Sequence, residues 1–254
     1  MQQLVFRIAP FLFLFAAGNA FAQTPVDLGV KAGISIPNLK SGSSANPINS
    51  GYSSRVGPDA AVHVEFHFTP HFSIEPQLEY CSQGGKKDGK QAFVVPAEMK
   101  PLFPPGQVPE YLHANYNSEA KFNYLMLPIL AKYRYTLAKR WGFYVAAGPF
   151  VSMVLSAKNV TSGNSSVYLD AEQTMALPTG PQSFDHTENI KDDLHKFNAG
   201  ISGHIGFAYL LGPNSIFIEG GGNYGLINIQ KGEENGKNNT GAASVVLGYS
   251  FRLQ

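Results

Sequence analysis

Eight segments of this chain alternate apolar and polar side chains with a period of two residues. They run over 26–36, 60–68, 72–81, 122–135, 141–155, 197–210, 215–229 and 242–253. Successive side chains on a β-strand point to opposite faces, so each segment reads as a strand with one apolar face. In the second, Val62, Val64, Phe66 and Phe68 oppose His63, Glu65 and His67. In the third, Phe72, Ile74, Pro76, Leu78 and Tyr80 oppose Ser73, Glu75, Gln77 and Glu79. In the eighth, Val245, Leu247, Tyr249, Phe251 and Leu253 oppose Ser244, Val246, Gly248, Ser250 and Arg252. Each segment reaches the roughly 9–11 tilted residues that cross a bilayer.

The connections alternate as well. Short turns sit at Thr69-Pro70-His71, around Ala138-Lys139-Arg140, and at Gly212-Pro213-Asn214. Long segments rich in Gly, Ser, Asn and Pro fill 37–59, 82–121, 156–196 and 230–241. Short and long connections therefore fall at opposite ends of the strands, as in outer-membrane barrels. The pattern predicts an eight-stranded antiparallel transmembrane β-barrel of up-and-down topology. An open edge cannot face hydrocarbon, so the first strand around 29–35 is expected to pair with the last around 244–252. Both chain ends then lie on the short-turn side.

Aromatic residues near the short turns (Phe66, Phe68, Phe72, Tyr133, Trp141, Phe143, Phe207, Tyr209, Tyr249 and Phe251) fall on the apolar faces. They suit a girdle at a bilayer interface. A soluble barrel would make those faces the core and the opposite faces the exterior. The opposite faces hold Gly142, Gly148, Gly200, Gly206, Gly221 and Gly248, which fit a cramped interior better than a wet surface. Val64, Ile74, Leu127, Val145, Ile205, Ile218 and Val245 are then expected to face lipid.

Targeting and composition agree with this placement. Arg7, an apolar run over 8–17 and Ala20-Phe21-Ala22 form a secretory signal with a cleavage site. Residues 1–22 are thus expected to leave and 23–254 to form the barrel domain. No later run of about 18 apolar residues suggests a helical span. Charged residues make up 15% of the chain, below the roughly 25% of soluble domains. Nineteen Lys and Arg against 18 Asp and Glu leave no basic excess for a nucleic-acid partner. Cys81 is the sole cysteine, so no intrachain disulfide forms.

With the polar faces inward, the lumen receives Lys31, His63, Glu65, His67, Glu75, Gln77, Glu79, Lys132, Arg134, His204, Glu219 and Arg252. Buried charges must be paired. A structural ion network of Lys31, Glu65, Glu75, Glu79, Lys132, Arg134, Glu219 and Arg252 is expected to fill a barrel too narrow for a through-channel. Within it, Glu75 with Arg134, or Glu79 with Lys132, are the expected contacts. A metal site at His63–His67 fails on distance, since four strand residues span about 13 Å. Only Glu65 with one His and ligands from another strand would serve, and no metal or cofactor is assigned. Ser183, Asp185, His186, Glu188 and His195 lie in a loop without a recognisable catalytic motif. The loop over 82–121 sets Pro96, Pro101, Pro104, Pro105 and Pro109 among Phe93, Phe103, Tyr111 and Tyr116, which reads as a stiffened binding segment or a lid over the barrel mouth. The sequons at Asn159, Asn164 and Asn238 are read as chance.

Three stretches resemble PorT-like outer-membrane β-barrel proteins. They are the opening Leu28-Gly29-Val30-Lys31-Ala32-Gly33-Ile34-Ser35, the strand Phe122-Asn123-Tyr124-Leu125-Met126-Leu127-Pro128-Ile129-Leu130-Ala131-Lys132-Tyr133, and the ending Leu247-Gly248-Tyr249-Ser250-Phe251-Arg252-Leu253. The resemblance implies an outer-membrane barrel and carries over no functional residue. Its namesake belongs to a protein-secretion apparatus. The expected function is a non-enzymatic barrel, embedded in outer-membrane lipid, whose extracellular loops meet a protein or ligand. A secretion-apparatus component is the runner-up, and a lipid-modifying barrel enzyme the third reading.

Overall fold

The structure, a computed structural model, describes residues 25–41, 47–48, 50–232 and 237–253; the expected signal over 1–22 lies outside them. The strands are β1 (Val26–Ser41), β2 (Gly57–His67), β3 (Phe72–Lys87), β4 (Lys90–Val94), β5 (Tyr111–Asn115), β6 (Asn117–Ala138), β7 (Trp141–Ser162), β8 (Asn164–Ser165), β9 (Gln182–Ser183), β10 (His186–Asn189), β11 (Phe197–Leu211), β12 (Asn214–Gly225) and β13 (Asn238–Leu253). Eight of them, β1, β2, β3, β6, β7, β11, β12 and β13, pair in that order into a ring. The ring closes because β1 runs antiparallel to β13, from Val26 opposite Leu253 to Ser41 opposite Asn238. The expected eight-stranded barrel and its seam are thus observed, with β1 and β13 starting and ending at the short-turn side.

The facing follows the alternation. Leu127, Val145, Ile205, Ile218 and Val245 are exposed on the outer surface, with Val64 and Ile74 partly so. Around the short turns, Trp141 packs on Tyr209 with ring centroids 4.9 Å apart, and Phe143 on Phe207 at 5.2 Å. These rings form an outward collar. The outer surface is therefore apolar while charged side chains lie inside, the reverse of a soluble protein.

Inside, bulky rings lie across glycines on the neighbouring strand. Tyr144 is directly opposite Gly206, and Phe217 directly opposite Gly248. A Cβ added to either glycine would come 2.1 Å from the facing ring. His63 lies over Gly29 and His204 over Gly221 in the same way. An eight-stranded lumen has room only for side chains, and missing side chains on one strand make the space for rings from the next.

The wall also has a discontinuity. The β3 to β6 ladder skips from Pro76–Ile129 to Glu79–Met126, and the β6 to β7 ladder from Pro128–Phe150 to Ala131–Ala147. Proline lacks an N–H to donate, and Pro76, Pro128 and Pro149 fall at these interruptions. A shallow apolar groove lined by Leu28, Val62, Pro76, Leu78, Leu127 and Phe251 marks the same part of the outer face.

Strands β3, β6 and β7 run past the expected limits on the long-loop side, to Lys87, from Asn117 and to Ser162. β12 instead stops at Gly225, short of the expected 229. The extended rim carries its own layer of structure, in which β10 adds to β7, β4 pairs with β5, and β8 with β9.

Candidate functional site: a layered lumen and a loop platform

The lumen is built in layers. At the short-turn mouth, Arg252 Nε donates to Asp27 Oδ1 at 2.7 Å, and His67 Nε2 lies 2.9 Å from Asp27 Oδ2. Above them, Glu65 accepts from Arg134 Nη2 at 3.0 and 3.1 Å and from Ser73 Oγ at 2.6 Å. Lys132 Nζ bridges Glu65 Oε2 at 2.9 Å and Glu75 Oε2 at 2.6 Å, and lies 4.2 Å from the centre of the Tyr144 ring. On the opposite wall, Lys31 Nζ reaches Glu219 Oε1 at 2.7 Å, and the Tyr144 hydroxyl donates to Glu219 Oε2 at 2.9 Å. Burial makes these partners mutually necessary, because an ion left alone there has neither water nor a counter-charge.

Two expected contacts are corrected. Arg134 meets Glu65 rather than Glu75. Its strand, β6, is separated from β2 by β3, so the guanidinium reaches across the intervening strand, whose Ser73 donates to the same carboxylate. Glu79 makes no ion pair with Lys132 or with any other cation among the described residues; it sits higher, beside Asp59 and Cys81. Two further acids face the lumen. Asp59, within the 37–59 loop range read from the sequence, is on β2 because that strand begins at Gly57. Asp27 holds the first inward position of β1, just before Leu28–Ser35.

The layer above is apolar. Leu39, Phe122, Tyr124, Met126, Phe150, Val154, Leu194 and Ile229 form one buried cluster with Cys81. It stoppers the lumen on the long-loop side. A readable signal exists, since both parities of 124–130 are apolar, which a strand with a polar lumen face would not show.

Beyond this cluster, the loops after β3 and β7 fold together. Val95, Leu112 and Val167 are buried, with Phe93, Met99, Phe103, Leu177 and Phe184 against them. The Tyr116 and Phe184 rings stack with centroids 4.6 Å apart. Asp170 accepts from the Thr174 and Met175 amides, which hold its carboxyl below the usual carboxylate range. At the platform's base, Lys87 donates to the Ile48 carbonyl and lies over the Tyr52 ring at 4.5 Å. Burial pulls the Lys87 ammonium down to about 8 and pushes the Tyr52 hydroxyl up to about 12. The 82–121 segment is thus partly strand and partly a packed platform. Leu102, Val108 and Met175 stay exposed on it.

Residues considered for catalysis are not assembled. Asp185 Oδ1 accepts from the Gly163 amide, and Ser183 Oγ from the Asp185 amide; His186 belongs to exposed β10. In the lumen, Ser202 Oγ lies 3.0 Å from His204 Nε2, and His204 Nδ1 lies 3.3 Å from Glu219 Oε1. This succession has the residue types of a hydrolytic triad. All three side chains are buried, and Glu219 is already held by Lys31 and Tyr144. The three side chains lie within the packed lumen and offer a substrate no approach.

A closed ring of strands, an apolar outer band and a charged, filled interior define an outer-membrane β-barrel. The chain belongs to the family described as outer membrane protein beta-barrel domain, which it matches over residues 21–231. None of the curated proteins matches it in sequence. Among solved structures, it is similar to Ail, the attachment invasion locus protein of Yersinia pestis, crystallised with the heparin analogue sucrose octasulfate. That match has 10% identity and a TM-score of 0.38, covering 89% of this chain and 99% of Ail. Neisserial surface protein A matches at 12% identity and a TM-score of 0.36, covering 89% of this chain and 97% of the other. OprG from Pseudomonas aeruginosa matches at 9% identity and a TM-score of 0.39, covering 91% and 97%.

Proposed function

We propose that this protein is a non-enzymatic outer-membrane anchor, and that its loop platform binds a protein or ligand outside the cell. The observation that carries this reading is the platform's own apolar core, centred on Val95, Leu112 and Val167 and contributed by two loops far apart in sequence. Loops that only connect strands need no joint core, whereas a binding surface gains from being held rigid before its partner arrives. Leu102 and Met175, each more than half exposed, supply apolar contact area on that surface. The lumen network of Lys31, Glu65, Glu75, Lys132, Arg134, Glu219 and Arg252 has a structural part in this reading. It fills the barrel beneath the platform, and residues 1–22 serve as the export signal.

Photo-crosslinking side chains at positions 102 and 175, on cells displaying the protein in their native community, test the platform. A discrete adduct at both positions, absent from an inward control at 122, is the expected result. Adducts no more frequent than at the control would count against a binding platform. The motifs at Leu28–Ser35, Phe122–Tyr133 and Leu247–Leu253 support a finer kinship with PorT-like proteins. The secretion role that such kinship carries is tested by co-purification with other envelope proteins.

A further inference from the structure

Six carboxylates line the described lumen, those of Asp27, Asp59, Glu65, Glu75, Glu79 and Glu219, against four fixed cations, Lys31, Lys132, Arg134 and Arg252. The cations account for four of the acids. Arg252 holds Asp27, Arg134 and Lys132 hold Glu65, Lys132 also holds Glu75, and Lys31 holds Glu219. Asp59 and Glu79 make no direct ion pair among the described residues; they share the more distant Lys31 ammonium and the Cys81 thiol, and they lie together. Asp59 is directly opposite Cys81 across the β2–β3 ladder, and Glu79 precedes Cys81 by two residues on the same inward face. One ligand atom from each of the three lies within 4.8 Å of the others. Asp59 and Glu79 are each 3% exposed and Cys81 is 0% exposed.

Two further observations point to a missing occupant. Glu79 Oε2 is fully buried without a hydrogen-bond partner, although an isolated buried carboxylate is among the costliest groups to leave unmatched. Gln83, 2% exposed, donates from Nε2 to Cys81 Sγ at 3.4 Å, and its Oε1 on the same amide is also buried without a partner. Asn223 Nδ2 lies 3.7 Å from the same sulfur. Amide donors directed at a sulfur stabilise it as the electron-rich partner, as outer-sphere groups do around metal-bound thiolates.

We propose that Asp59, Glu79 and Cys81 bind one divalent transition-metal cation, zinc by ligand chemistry, in the lumen at the base of the apolar stopper, of which Cys81 is a part. Two carboxylates and a thiolate form a mixed oxygen and sulfur set that suits zinc and its spectroscopic substitute cobalt better than calcium or magnesium. The ion's double charge and the nearby Lys31 ammonium, which acts on both Asp59 and Glu79, together answer the two carboxylates and the thiolate that forms on binding. On binding, the Cys81 thiol gives its proton to solvent and its sulfur lone pair to the metal. With Tyr124 opposite Cys81, Met126 opposite Glu79 and the ion pairs of Lys31 and Lys132 toward the short turns, the cation enters as the barrel closes. The other acid cluster with a histidine, Asp27, Glu65 and His67, already has Arg252, Arg134 and Lys132 as counter-charges and does not need a metal.

The test uses the full chain, extracted folded from membranes and also refolded in detergent with equimolar Co2+ or Zn2+. Folding is scored by the gel-mobility shift of unheated barrels. The expected result is one metal per folded chain and, with Co2+, a near-ultraviolet thiolate-to-cobalt absorption that Zn2+ displaces. Cys81→Ala abolishes the absorption. The double variant Asp59→Asn with Glu79→Gln, which removes repulsion and so folds, loses affinity by more than the roughly 10–100-fold typical of outer-sphere changes. A folded wild-type chain that takes up neither metal overturns the proposal, because the two carboxyls then share a proton instead. Metal bound without the thiolate absorption, or bound equally by the double variant, overturns it too, since the ion would then sit elsewhere.

Discussion

Lys132 is the residue on which the lumen most depends, because one ammonium answers two carboxylates, Glu65 and Glu75, at 2.9 and 2.6 Å. Lys132→Met keeps most of the volume but leaves Glu75 without its cation, and removing one partner of a buried pair costs about 3–5 kcal/mol. Adding Glu75→Gln restores part of that loss, so the double change is less destabilising than the two single changes summed. Urea unfolding in lipid or detergent measures the cycle, and strict additivity would show that the two side chains do not meet. Lys87 predicts a pH dependence of opposite character to an ion pair. Its ammonium titrates near 8 in the folded protein, against about 10.4 in an unfolded chain. Between those values the unfolded state binds more protons, so stability rises with pH there, and below about pH 8 the full penalty of burying the charge is present. Thermal unfolding from pH 7 to 10 should show this rise in the wild type and lose it in Lys87→Met. At this scale the sequence was a partial guide. Parity placed Glu65, Glu75, Lys132 and Arg134 in the lumen, but pairing depends on side chains reaching across an intervening strand, and no spacing rule encodes that reach.

Among the strands, the alternation was legible because a barrel wall has hydrocarbon on one side and a filled interior on the other, which imposes the period of two directly. Strand ends were less legible. β3, β6 and β7 leave the bilayer and continue as a rim, where Ser82 to Gly85 are buried on both faces and the alternation no longer reports facing. The glycines of the lumen were legible as small residues, though not as seats for particular rings. Gly206→Val would drive a side chain into the Tyr144 ring, which already lies 2.1 Å from the first added atom. Overpacking of this kind typically costs about 1–3 kcal/mol, while Gly203→Ala, with only Ala146 O as near as 4.0 Å, should be close to neutral. Equilibrium unfolding of the two variants checks the contrast. On the outer face, Leu127→Arg near the middle of the band should cost about 2–4 kcal/mol in lipid. A loss well under 1 kcal/mol in the same measurement would argue that Leu127 does not face hydrocarbon.

For the whole molecule, the charged layers and the apolar stopper fill the lumen of the described residues, so planar bilayers containing the protein should show no stepwise conductance. Shortening the stopper with Phe122→Ala and Met126→Ala should not open one, because the ion pairs of Lys132 and Lys31 still block the lumen below. Steady channels in the wild type would overturn that account. The platform is separable from the wall in the same sense: excising 90–115 in favour of a short turn removes β4 and β5 but no wall pairing, and the barrel should keep its gel-mobility shift. The seam between β1 and β13 has a consequence for biogenesis. Residues 197 to 227 positions apart in sequence meet there, from Ser41 with Asn238 to Val26 with Leu253, so the wall stays unzipped until the C-terminal segment has been exported. A chain cut short by even one strand presents two raw edges to hydrocarbon. The architecture thereby acts as a length check on its own synthesis, because only a complete translation product can seal.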